Sequence, residues 1–464
     1  MLCKKDKGAR DLKQNSDEAL GTLPIGRLLA KLAVPSMAAQ LINMLYNVVD
    51  RIYIGNIPDI GAMALTGVGV TFPILLLVSA FAAFSGMGAA PLASIQLGAG
   101  DRPGAERILG NSLTMLLVTA AVLTAVFSIW KEPILYAFGA SDNVIGYAVD
   151  YISIYLLGTV FVQLALGLNA FISAQGNATT AMLSVLIGAV LNIVLDPLFI
   201  FVLGMGVRGA ALATILSQAV SALWVLSFLC SKRSVIRIRL ANMKPCGRIV
   251  GRIASLGVAP FIMQSTESLV NITLNTGLQR FGGDLYVGSM TIMQSIMQML
   301  VMPVNGISQG AQPIMSYNYG AKNYARVRET FRLLLKITMG VTVVCCLLLV
   351  LFPGVPARLF TQEQALIDLV VKTMPIFFAG IWAFGAQMAC QTTFMALGQA
   401  KTSLFLALLR KIILLIPLAI ILPRITGSVL GIYVAEPIAD IVASCTTLTL
   451  FLARRKKLLP TENP

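Results

Sequence analysis

The chain has 464 residues, 57% of them hydrophobic and only 12% charged, with a mean hydropathy of +0.82. A water-soluble protein carries about twice that charged fraction, so the composition excludes a soluble enzyme or binding module and points to a polytopic membrane protein. There is no histidine, which removes imidazole acid–base chemistry and histidine metal sites. The seven cysteines form no CxxC pair and read as small apolar residues.

In chain order, the first 24 residues are polar and lack the apolar stretch of a cleavable signal. Apolar runs long enough to cross ~30 Å of hydrocarbon as helices follow at 25–54, 62–97, 106–130, 143–174, 178–203 and 207–230. After a basic loop, six more follow at 250–280, 285–317, 326–352, 364–396, 401–423 and 427–453. They are continuous rather than short and alternating, so the spans are helices and not barrel strands. About half of the 35 basic residues sit at three points: around the start of the first span, in the central loop, and at Arg454–Lys457. Positive-inside bias places all three in the cytoplasm, which rules against nucleic acid as the reason for the net charge of +15. The expected organisation is a cytoplasmic tail 1–24, a first half 25–230, a basic cytoplasmic linker 231–249, a second half 250–453 and a cytoplasmic tail 454–464.

The halves read as repeats. "GMGAAPLASIQLGAGD" (86–101) aligns with "SQGAQPIMSYNYGAKN" (308–323) at an offset of 222, and "ISAQGNATT" (172–180) with "FMALGQAKT" (394–402) at the same offset. Gly158 pairs with Gly380, Gly209 with Gly431, and Pro35 with Pro260 at an offset of 225. Duplicated six-helix halves are a signature of secondary transporters, with the substrate between them.

Together with this layout, "LAVPSMAAQLINMLYNVVDRIYIG" (32–55) and "LNIVLDPLFIF" (191–201) resemble the multidrug and toxic compound extrusion (MATE) family, and within it the DinF-like branch and MepA-type exporters. The resemblance covers nearly the whole chain after residue 24. It implies an all-α integral membrane protein whose twelve transmembrane helices form two pseudo-symmetric six-helix bundles. It also implies an antiporter, not an enzyme, that exports cationic drugs or dyes for incoming Na⁺ or H⁺. No cofactor beyond that coupling ion is expected, and the chain is expected to work as a monomer in a bacterial cytoplasmic (inner) membrane, with both termini cytoplasmic.

Counting residues to the membrane boundary tests where the polar residues lie. Asp50 is five residues before Gly55, Asp196 eight before Gly204, Thr214 seven after Val207 and Tyr151 nine after Asp142. At 1.5 Å per residue all four fall roughly 8–14 Å below the outer surface. Asn192 is four residues before Asp196, on the same helical face, and Pro197 would free the carbonyl of Ile193. The result is an all-oxygen nest suited to Na⁺. Two like charges that close disfavour full ionisation, so the nest suits a proton equally. The residue types at Asp50, Tyr151, Asn192, Asp196 and Thr214 match the family's first-half cation network, with Asp50, Asn192, Asp196 and Thr214 as ligands if the ion is Na⁺. The repeat partners Asn275, Leu414 and Leu418 lack carboxylates, so coupling through the first half alone is expected.

In the second half, Glu267 on the seventh span could oppose a cationic substrate, and Met293, Gln294 and Met297 on the eighth could adapt to its apolar parts. Glu436 and Asp440 beside Pro437 either face the cavity or brace a helix bend. Arg410 and Lys411 are expected to snorkel to headgroups. "LGAGDRPGAER" (97–107) follows no strand and carries no Walker lysine, so ATP is not expected. Two other functions fit the same composition. A lipid-linked oligosaccharide flippase of the same superfamily would need a more cationic central cavity, and a non-transporting membrane scaffold or receptor would show no cation-dependent dye movement.

Overall fold

The computed structural model describes residues 19–460, which form helices and loops without a strand. The tail lysines and arginines at positions 4–13, and residues 461–464, lie outside the described residues. The first half comprises α1 (Ile25–Gly55), α2 (Gly61–Gly98), α3 (Arg102–Ala137), the broken pair α4 (Ile145–Leu157) and α5 (Thr159–Ala174), α6 (Ala178–Pro197) continued by a π turn at Leu198–Val202, and α7 (Gly206–Cys230). The second half comprises α8 (Gly247–Gly282), α9 (Asp284–Gly320), α10 (Tyr324–Leu351), a short α11 (Gly354–Phe360), the broken pair α12 (Gln364–Phe377) and α13 (Ile381–Ala396), α14 (Ala400–Leu408) running through a π turn at Leu409–Leu415 into α15 (Ile416–Thr426), and α16 (Leu430–Leu458).

Among the described residues, ten helical segments are long and apolar enough to span a membrane, and α4 with α5, bent by 58°, makes an eleventh. The twelfth segment of the two-half layout is α8, 36 residues long; its polar side chains lower its hydropathy, not its length. The last helix runs to Leu458, so Arg454–Lys457 stand on its final turns, where positive charge favours a helix C-terminus, and not in a tail.

The repeat is visible as chemistry at a constant offset of 222. Asp101 caps α3 by accepting from the backbone N–H of Gly104, and Asn323 caps α10 by accepting from that of Arg326. The Ser94 hydroxyl donates to the carbonyl of Ala174 at 3.2 Å, and the Ser316 hydroxyl donates to that of Ala396 at 2.9 Å. Gly176 and Gly398 both turn with positive φ, 84° and 69°.

The halves meet through glycine. A Cβ on Gly98 would lie 1.8 Å from the carbonyl oxygen of Tyr317, and one on Gly320 would lie 1.9 Å from that of Ile95. These contacts exchange under the same offset, so α2 and α9 cross backbone to backbone about a pseudo-twofold axis. The first helix of each half also leans on the other half. The opening turns of α1, through Leu28, Leu29, Leu32 and Ala33, join a core built mainly from second-half residues. Ile253 of α8 lies in a first-half core, and Gly257 packs on the backbone of Phe84.

The basic segment 231–246 is tied to the first half. The Gln175 side-chain oxygen accepts from the Ser234 hydroxyl at 2.9 Å and from the N–H of Val235 at 2.8 Å. Glu106 pairs with Arg239 at 2.7 Å, the Thr114 hydroxyl donates to the carbonyl of Met243 at 2.6 Å, and Asn111 accepts from the N–H of Cys246 at 2.7 Å. Arg326 of α10 donates to the carbonyls of Leu20 and Leu23, and Arg328 to that of Pro460. Leu20, Leu23 and Pro460, the basic 231–246 strap and the α2–α3 and α9–α10 turns therefore share one end of the molecule.

Gly98→Ala or Gly320→Ala is expected to destabilise the protein by about 1–3 kcal/mol through overpacking, measured as a lower Tm of the purified protein. Gly340→Ala, whose Cβ meets nothing within 4 Å, should be neutral or slightly stabilising.

Candidate cation site and central cavity

Polar residues at helical spacing inside apolar spans decide what the first half encloses. On α1, Gln40, Asn43, Tyr46 and Asp50 fall on one face. On α6, Asn192 and Asp196 are four apart, and so are Tyr151 and Tyr155 on α4. Packing of α1 against α6, and of α4 and α6 against α7, brings these faces together.

Asp196 is fully buried, and the Asn192 amide donates to its Oδ1 at 3.1 Å. The Asp50 and Asp196 carboxyls lie close enough to feel each other's charge, and two carboxylates so placed are held favourably only with a shared proton or cation. The buried Tyr151 lies near Thr214, whose hydroxyl donates to the carbonyl of Ala210 at 3.0 Å. The five residues singled out in the sequence thus form one cluster. Two neighbours were missed, although their i, i+4 spacing to Asp50 and Tyr151 signals them. Tyr46 faces both acids, and Tyr155 stacks on Tyr151 with ring centroids 6.2 Å apart.

Three oxygens of this cluster, Asp50 Oδ1, Asn192 Oδ1 and Asp196 Oδ2, are buried without a hydrogen-bond donor. Orphaned buried acceptors are costly, about 1–3 kcal/mol each. Three in one place, on two acids and an amide, are the donor set that a proton or a hard monovalent cation satisfies.

The nest borders a cavity of about 360 Å³ between the halves. Tyr46, Asn192 and Thr214 belong to both. The cavity is walled by α1, α2, α5, α6 and α7, and is covered by α8 at Gln264 and by α9 at Gln309, Gln312 and Ser316. Its floor holds Ser94 and Ser316; the Gly98–Gly320 crossing closes it one helical turn beyond.

The substrate residues expected on the second half lie elsewhere. Met293 is wholly buried in an apolar core with Leu274, Leu278 and Val370, and Met297 packs at its edge. Gln294 is half-buried beside them. None of the three lines the cavity, because the part of α9 that does begins at Gln309, ~24 Å further along from Met293. Glu267 pairs with Lys411, whose ammonium also donates to the carbonyl of Met263 at 2.8 Å.

The snorkelling expected of Arg410 and Lys411 is corrected. The π turn at Leu409–Leu415 carries both inward. Arg410 binds Glu436 at 2.9 Å and Asp440 at 2.6 Å, with its guanidinium 4.9 Å from the ring centre of Phe384. Glu436 and Asp440 therefore brace the second half. At the 222 offset, Arg410, Glu436 and Asp440 correspond to Gly188, Thr214 and Gln218, all of which line the cavity. Where the first half keeps space, the second places an ion-paired core.

The sequence profile of the MatE family matches residues 35–198 and again 260–421. The chain belongs to this family: it is a multi-pass membrane transporter of small molecules, not an enzyme. The multidrug export protein MepA of Staphylococcus haemolyticus (strain JCSC1435) is 24% identical over 432 residues, covering 92% of this chain and 93% of its own. MepA of Staphylococcus aureus (strain N315) is 24% identical over 443 residues, with 95% and 96% covered. A MATE crystal structure in the bent conformation superposes with a TM-score of 0.89 at 24% identity, covering 96% of this chain and 98% of that one. An outward-facing multidrug resistance MATE transporter superposes at 0.87 and 25%, with 95% and 98% covered.

Removing Arg410 alone leaves two buried carboxylates without a counter-charge. Arg410→Met is expected to cost about 3–5 kcal/mol, and the triple replacement Arg410→Met, Glu436→Gln, Asp440→Asn to recover most of it, as read by thermal unfolding in detergent.

Proposed function

We propose that the protein is an export antiporter of the bacterial cytoplasmic membrane, in which Na⁺ or H⁺ entering the nest at Asp50 and Asp196 drives organic cations out of the central cavity. The observation that carries this reading is the nest's position: two acids with orphaned oxygens at the edge of a cavity that shares Tyr46, Asn192 and Thr214 with it. Among the described residues no charged one lines the cavity itself, so the acids supply the negative field that a cationic substrate would feel. An incoming proton or Na⁺ cancels that field. The affinities of the two ligands then oppose each other, which is what exchange requires.

The relatives named multidrug export proteins support export as the direction. Membrane orientation follows from the basic strap: with that end in the cytoplasm, the Gly98–Gly320 crossing closes the cytoplasmic side. The halves on this reading are 25–230 and 250–453, joined by the strap. An uncharged wall offers a lipid pyrophosphate no counter-charge, which disfavours the flippase alternative. Of the sequence-derived coupling residues, Asp50, Asn192 and Asp196 hold the ion on this reading, while Thr214 and Tyr151 orient the wall between nest and cavity.

Asp50→Asn and Asp196→Asn, reconstituted in liposomes, are expected to lose cation-driven ethidium efflux at least about a hundredfold while keeping their elution profile and most of their Tm. Imposing the Na⁺ and pH gradients separately identifies the ion. Efflux at the unmodified rate in both variants defeats the proposal.

A further inference from the structure

We infer that the basic strap and the opening turns of α8 form a binding surface for anionic phospholipid headgroups, set at the level of the membrane interface. The inference rests on the membrane-spanning fold and not on the coupling scheme, and the surface lies outside the central cavity.

Residues 231–252 hold seven lysines and arginines and no acid. Arg239 is matched by Glu106. Lys232, Arg233, Lys244, Arg248 and Arg252 are exposed and have no ion-pair partner among the described residues. Arg248 and Arg252 stand one turn apart at the start of α8, where the positive end of a helix disfavours cations. The first turn of α8 contains no acid to offset them. Helix stability does not account for these arginines, and an anion from outside the chain would offset them.

Depth identifies the anion. The 25 residues of α7 make a helix about 37 Å long. That is more than the ~30 Å hydrocarbon core and less than the ~40–45 Å that includes both headgroup layers. Cys230 at its end therefore falls among headgroups, and the strap starts there. The strap then stays at that level. Asn111 and Thr114, which bind it at Cys246 and Met243, lie roughly 14–18 Å along α3 from its start at Arg102. The strap thus runs along the flank of the bundle, while the α2–α3 turn projects past it. A soluble partner arriving from the water meets the projecting turn first, whereas a lipid headgroup lies alongside the strap.

One apolar side chain fits the same setting. Leu240 is 83% exposed, more than any other large hydrophobic residue described, although it stands in a loop and not in a span. An apolar residue projecting from a basic segment is the pattern of an interfacial anchor: the leucine enters the acyl boundary while the cations meet phosphate. The segment is already ordered without a lipid. Val235 and Ile236 are buried in a first-half core, and Gln175, Glu106, Thr114 and Asn111 hold the chain on either side of Leu240. Binding then costs little ordering, and each free guanidinium can take a phosphate through two parallel hydrogen bonds.

The test is native mass spectrometry of the full chain in maltoside micelles, titrated with phosphatidylglycerol, phosphatidylcholine or free glycerol phosphate. Phosphatidylglycerol is expected to bind at least about tenfold more tightly than phosphatidylcholine, and glycerol phosphate at the same concentration should not displace it. The triple variant Lys244→Gln, Arg248→Gln, Arg252→Gln should cut that preference to within about twofold. Arg455→Gln, Lys456→Gln, Lys457→Gln removes the same charge from the end of α16 and should keep most of it. Should the first variant fail to fold, the unmodified protein gives a second reading. Raising ammonium acetate from about 50 mM to about 500 mM should weaken phosphatidylglycerol binding at least about fivefold and leave phosphatidylcholine binding unchanged. Equal affinity for the two lipids, which a surface made for a soluble acidic partner would give, overturns the inference. So do displacement by glycerol phosphate, salt-independent binding, an undiminished preference in the folded first variant, or an equal loss in the α16 variant. Binding is read without an ion gradient, so failure here is separate from failure of the coupling scheme, which the Asp50 and Asp196 variants report.

Discussion

Two carboxyl groups share a pocket inside the bundle, Asp196 fully buried and Asp50 half-buried, and the protein supplies too few donors to satisfy them. Asp196 has one donor, Asn192, and one bare oxygen; Asp50 adds a second bare oxygen. An acid inside a membrane span costs at least ~2.5–3.5 kcal/mol on insertion scales, and that cost falls when a positive charge arrives. On the proposed reading, the packing of the first half arranges for that arrival. The faces of α1, α4, α6 and α7 converge there, and the π turn after Pro197 re-aims α6 at the same level. π turns of this kind recur at functional positions in helices.

The two halves keep one scaffold and divide its uses. Caps, turns and serine–carbonyl bonds recur at one offset, so the backbone plan is common to both. What differs is the content of equivalent positions. Gly188, Thr214 and Gln218 leave room and hydrogen-bonding groups, whereas Arg410, Glu436 and Asp440 fill the corresponding volume with a satisfied ion triad. A buried triad of this sort is weak evidence for stability on its own. Here it explains why most of the wall of the cavity between the halves comes from the first half.

The parts legible in sequence share a property: each is a local pattern. Span positions came from hydrophobic runs, the repeat from spacing, and the nest from counting residues to a boundary. Each of these survives folding because helices have a fixed rise. What failed depended on where a helix face turns once packed. Glu267, Arg410 and Lys411 are charged residues in spans, and nothing local indicates that the π turn at Leu409–Leu415 brings Arg410 to Glu436 and Asp440 while Lys411 meets Glu267. Met293 and Gln312 lie on the same helix, and only the crossing of α9 with α2 decides which of them sees the cavity. Tyr46 was missed for another reason: an aromatic residue in an apolar span reads as core until its neighbour four residues on is known to matter.

The exchange of opening turns between α1 and α8 has a mechanical consequence. Each helix begins in the opposite half and ends in its own, so the pair behaves as crossed struts pinned at both ends. The bodies they join cannot simply part at the glycine crossing, because that motion would drag the struts out of the cores that grip them. Pro35 and Pro260 sit close to where each strut leaves one body for the other, and a helix yields most readily where a carbonyl lacks its N–H partner. Flexure confined to those two points lets the walls tilt while the grips hold.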